Sequence, residues 1–103
     1  MGASKKKRLT VNADASYTLN SAHQAVLECK WKVKKMESFC IKASAGTSMS
    51  SWGETITIQV QPVGNVSNLE IKSEAKWQLI DWGKNNENIN KFIRNLSKYV
   101  VIL

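Results

Sequence analysis

A two-layer α+β domain is what this chain predicts: an antiparallel sheet of about five strands with two helices on one face, in the order β-α-β-β-β-β-α. Three observations predict it. Apolar residues alternate with polar ones in five separate segments, they recur at three- and four-residue spacing in two others, and the breaks between the central alternating segments are short enough for hairpins. The chain has 103 residues, of which 43% are hydrophobic. That is enough for one core and too little for two ordinary domains.

Each element follows from its own pattern. Leu9, Val11 and Ala13 alternate with Thr10, Asn12 and Asp14, which is the period of a half-buried strand. Leu19, Ala22, Val26 and Cys29 then fall at helical spacing, with Ser21 to Gln24 available as a capping box; the pattern predicts a helix over about Thr18 to Lys30. Trp31 and Val33 alternate, and so do Phe39, Ile41, Ala43 and Ala45. The polar break at Glu37-Ser38 makes the two a hairpin. Gly46 to Ser51 is a loop by composition, closed by Trp52-Gly53. Ile56, Ile58 and Val60 define the next strand, which Pro62 should end before a turn at Gly64-Asn65. Leu69 and Ile71 place a fifth strand over about Val66 to Ala75, with Trp77 and Leu79 as an extension. Asn85 and Asn86 offer caps for a final helix in which Ile89, Phe92, Ile93 and Leu96 share one face. Because hairpin-length breaks join the four central strands, these form a meander with one solvated face, and both helices cover the other.

The net charge is +7, much of it concentrated at the start. Lys5, Lys6, Lys7 and Arg8 read as a disordered basic tail over residues 1–8, ahead of a single domain over residues 9–103. Lys30, Lys32 and Lys34 alternate with Trp31 and Val33, and so belong to the solvated face of their strand. No segment approaches the roughly 20 apolar residues of a membrane helix, and no apolar run follows the basic start as in a secretory signal. A cytoplasmic protein is the expectation. Gly2 lacks the downstream Ser or Thr of a myristoylation signal, since Lys6 stands there. Cys29 and Cys40 should be reduced and on opposite sides, Cys29 buried on its helix.

No residue pattern points to catalysis or to a cofactor. The Gly/Ser-rich loop before Trp52 precedes a strand and lacks the Gly-Lys-Ser/Thr of a phosphate loop. His23 is the one histidine and has no partner nearby in sequence. Glu70 and Glu74 share a strand face with Lys72, as on a charged solvent face. The supply of tryptophan, at Trp31, Trp52, Trp77 and Trp82, is large for the length, and aromatic rings serve cores, apolar pockets and base stacking alike. The apolar end, Tyr99 to Leu103, must pack on the sheet or on a second copy to leave water.

Two Trp-Gly pairs, Ser51-Trp52-Gly53-Glu54 and Asp81-Trp82-Gly83-Lys84-Asn85, with Thr55 to Ile58 and Leu69 to Ser73 between them, carry a resemblance. Over most of Leu9 to Leu96 the chain resembles a family of small uncharacterised prokaryotic domains with a Trp-Gly-Glu strand start and an Asp-Trp-Gly-Lys-Asn turn into the last helix. The resemblance implies an α+β fold and no activity. The function expected from the sequence is a non-enzymatic binding or interaction module for a protein or small ligand. Trp52 and Trp82 are its candidate contact residues, and Lys30, Lys32 and Lys34 its charged neighbours. The alternative is binding of nucleic acid or an anionic membrane surface through the basic tail and the lysine-rich strand.

Overall fold

The computed structural model describes residues 3–46, 53–75 and 83–103. Along the chain lie β1 (Ala3–Val11), α1 (Ala15–Glu28), β2 (Lys32–Glu37), β3 (Cys40–Ala45), β4 (Glu54–Val63), β5 (Val66–Ala75) and α2 (Lys84–Leu96). The strands form one sheet in the order β1-β5-β4-β3-β2, every neighbouring pair antiparallel. The α+β class and the element order are as the alternation predicts. The first strand closes the meander by pairing with the last. α2 packs over β1 and β5, α1 over β2 to β4, and the helices touch each other, so both lie on one face.

The core is where the two periodicities meet. Ile41, Ile56, Ile58, Leu69 and Ile71 project from the sheet, and Ala22, Val26, Phe92 and Leu96 come down from the helices, all fully buried. The Trp31 and Phe92 rings stack at 6.5 Å between centroids, tying the entry of β2 to α2. Burial of side chains this size is worth roughly 1.5–3 kcal/mol each, and α2 owes its place to that stripe.

Several boundaries differ from expectation, each for a local reason. α1 starts at Ala15, ahead of Thr18, because the Asp14 carboxylate accepts a 2.8 Å hydrogen bond from the Tyr17 N–H and so caps the helix; Ser21 is an interior, buried residue of the helix. α2 is capped by Gly83 at φ 83°, a conformation open to glycine, so Asn85 lies inside the first turn and is buried. Phe39, expected in the core, sits with Ser38 in the β2–β3 turn. Ser38 and Phe39 have positive φ, 51° and 59°, as a two-residue turn matched to strand twist requires. Pro62 does not end β4, which runs to Val63. The Val60 N–H points to β3 and bonds Phe39 O at 2.9 Å. Pro62, two residues on, aims its missing donor at the same side, where β3 has already turned away.

The basic start is a strand and not a disordered tail. Ser4 to Arg8 continue the β1–β5 ladder, Ser4 opposite Glu74 and Arg8 opposite Glu70. Lysine has low strand propensity, but an edge strand beside a long partner is where it is tolerated. The apolar end packs on this strand: Val100 is buried, Ile102 bridges Val11, and the Asn12 N–H donates to Val101 O while Leu103 N–H donates to Thr10 O, both at 2.8 Å.

Candidate functional site

The sheet face away from the helices is built by alternation. Because Ile71, Ile58 and Ile41 point to the helices, their neighbours one residue along point outward. The pairing registers then set Lys6, Lys72, Thr57, Lys42 and Lys35 side by side, one from each strand. Four of those five positions are lysine. At about 4.8 Å between strands this row spans roughly 19 Å. The rows beside it are Ser4, Glu74, Thr55, Ser44 and Lys32 on one side, and Arg8, Glu70, Gln59, Cys40 and Glu37 on the other.

The carboxylates in these rows are all engaged. Arg8 meets Glu70 at 2.8 Å, Lys35 meets Glu37 at 2.9 Å, and Lys72 meets Glu74 at 3.6 Å. The Arg8 hydrogen bond, aided by Lys6 and Lys72 nearby, holds the Glu70 carboxyl below the usual range, so its charge persists into mild acid. Lys6, Lys32 and Lys42 have no ion pair among the described residues. Beyond the lysine row a groove runs past Arg8, Thr10, Gln59, Gln61, Asn68 and Glu70, rimmed by Ile102 and Leu103. Among the described residues no aromatic ring lies in these rows.

The lysines expected from the sequence are partly redistributed. Lys30 precedes β2, in a left-handed turn at φ 65°, and a register shift between Val33 and Lys35 takes Lys34 out of the ladder. Lys32 is on the open face as expected, and Lys35 replaces Lys34 there. Trp52 and Trp82, and with them Trp77 and Leu79, lie outside the described residues. Sequence reasoning names Lys6 only within a basic tail and Lys72 only on a charged strand face, and it passes over Lys42. Their common row depends on registers between strands far apart in sequence, which alternation within a strand does not reveal.

A second polar group sits on the helix side, where β4 and α2 begin. Glu54, Ser73, Asn85 and Asn88 are all buried. Ser73 Oγ donates to Asn85 Oδ1 at 2.8 Å, Asn85 Nδ2 donates to Ala3 O at 3.1 Å, and Asn88 Nδ2 donates to Glu54 Oε1 at 3.0 Å and to Ser73 Oγ at 3.1 Å. These bonds pin the start of α2 to β1, β4 and β5 and satisfy groups that would otherwise be costly to bury. No group of three or more metal-ligating side chains occurs among the described residues. Cys29 and Cys40 are both free, Cys29 buried beneath α2 and Cys40 on the open face. No described helix is long and apolar enough to cross a membrane.

No family model matches the chain, and no curated protein matches it. Among solved structures, the chain is similar to TTHA0849 from Thermus thermophilus, with a TM-score of 0.57 over 94% of this chain and 96% of that one. At 9% identity, this likeness concerns the fold alone.

Proposed function

We propose that this protein is a non-catalytic binding module that engages an extended anionic partner across the open face of its sheet. The observation that carries this reading is the row Lys6, Lys72, Lys42 and Lys35, in which cations from four strands line one track. Lys6, Lys42 and the adjacent Lys32 have no ion pair among the described residues. An array of this kind attracts a polyanion through summed Coulomb terms and counterion release, and its affinity falls steeply with salt. The helix side offers less to a ligand, because apolar side chains and a satisfied hydrogen-bond network fill its interior.

The test is retention on immobilised heparin, a generic polyanion. Lys6→Glu/Lys42→Glu should elute at clearly lower salt than the parent chain, whereas Lys84→Glu/Arg94→Glu, which changes net charge equally on exposed α2 positions, should elute close to it. Equal loss from both pairs would show that net charge, and not the row, governs retention.

A further inference from the structure

We propose that the outer edge of β1, between Ser4 and Arg8, is a docking edge for an extended acidic peptide, which adds to the sheet as a sixth strand. The inference rests on the anionic-partner reading above and names the partner's class.

Backbone direction carries the first step. The Asn12 N–H and the Thr10 carbonyl point away from β5, since both bond the C-terminal segment at 2.8 Å. In a regular strand the N–H and C=O of one residue point the same way and alternate along the chain. Ser4, Lys6 and Arg8 therefore aim their backbone donors and acceptors outward as well. Among the described residues nothing pairs with them, although Val101 to Leu103 already pair with the neighbouring stretch of the same edge. The ladder is begun at Thr10 and left open toward Ser4.

Side chains carry the second step. Lys5 and Lys7 lean to the helix side and Lys6 and Arg8 to the open side, so an added strand meets cations on both of its faces. Opposite charges directly across a strand pair stabilise it and like charges oppose it. A second copy of this edge would set lysine against lysine, the usual protection against self-pairing. A run of Glu and Asp in consecutive positions is accommodated on both faces. Nucleic acid fits this edge less well, because a phosphodiester accepts hydrogen bonds but does not donate to the outward carbonyls, and no described aromatic ring waits to stack a base.

The experiment is an NMR titration of the full chain with three probes. These are a short peptide built of repeated Glu-Glu-Val units, the same peptide with proline at every valine, and a single-stranded RNA of equal charge. The expected result is at least about tenfold slower amide exchange at Ser4, Lys6 and Arg8 with the first peptide, together with binding about tenfold weaker for the proline version, which cannot form the ladder. Lys6→Pro should abolish that difference between the peptides, and Lys6→Gln should weaken binding of the first peptide while preserving the difference. The Lys6 N–H points outward, so proline there removes no β1–β5 bond, and unchanged β5 amide shifts would verify the fold. Equal binding of both peptides, or RNA alone perturbing the face without protection at those amides, would overturn the docking edge and leave the anionic-face reading standing. Absence of binding by all three probes would remove both.

Discussion

Asn88 ties α2 to β4 and β5 on the helix side. Its amide donates to both Glu54 and Ser73 in a buried setting, so Asn88→Ala removes two buried hydrogen bonds at once. The expected cost is about 1–3 kcal/mol, read as a lower urea midpoint with an unchanged slope; a negligible change would mean that water replaces the amide. Cys29 shows the opposite use of burial. Withdrawal from water pushes its thiol above the usual range, a shift only partly offset by the hydrogen bond from Asn95. The unfolded chain then gives up this proton at lower pH than the folded one. The contribution is present below the ordinary thiol pKa and is lost as pH rises through the higher folded value. Cys29→Ser or Cys29→Ala should therefore flatten the decline in stability above about pH 8.5, the ordinary thiol range. An alkylating reagent should modify Cys40 in the native chain and reach Cys29 only on unfolding, with mass spectrometry of timed samples as the check.

At the scale of elements, the β2–β3 hairpin offers a clear test of local strain. Ser38 and Phe39 both adopt positive φ, which L-residues other than Asn and Asp resist. Ser38→Asn/Phe39→Gly should raise stability by about 1 kcal/mol, measured by thermal or urea unfolding; a loss would mean that the half-exposed Phe39 ring contributes more packing than its backbone costs. The elements legible in the sequence are those with an unbroken internal period. β5 opens at Val66 as expected and runs through Ala75, the last residue described before 83, and Ile89, Phe92 and Leu96 define α2. What escapes is decided between elements or by chemistry outside the period. Asp14 moves the start of α1, the lack of a β3 partner beyond Val60 lets β4 run through Pro62 while still paired with β5, and β5 draws Ser4 to Arg8 into the sheet. The buried group of Glu54, Ser73, Asn85 and Asn88 is also invisible in the sequence, because a polar residue on a core face becomes sensible only once its partner on another element is known.

Over the whole molecule, the +7 total does not convey that the sheet registers draw cations from four strands into one row. Lys6, Lys72, Lys42 and Lys35 cross the open side, with Arg8 and Lys32 in the rows flanking them, and Glu37, Glu70 and Glu74 are each already bound to a cation there. Since exposed ion pairs of this kind are weak and Lys42 has none among the described residues, reversing Lys42 should leave the unfolding midpoint nearly unchanged. The measurement that tests the central claim most directly is an amide-shift map of the full chain with a short heparin fragment at low and moderate salt. The account predicts perturbations along Lys6, Lys72, Thr57, Lys42 and Lys35 that weaken together as salt rises, with the amides of α1 and α2 still. Perturbations centred on the helices, or none at any salt, would contradict it.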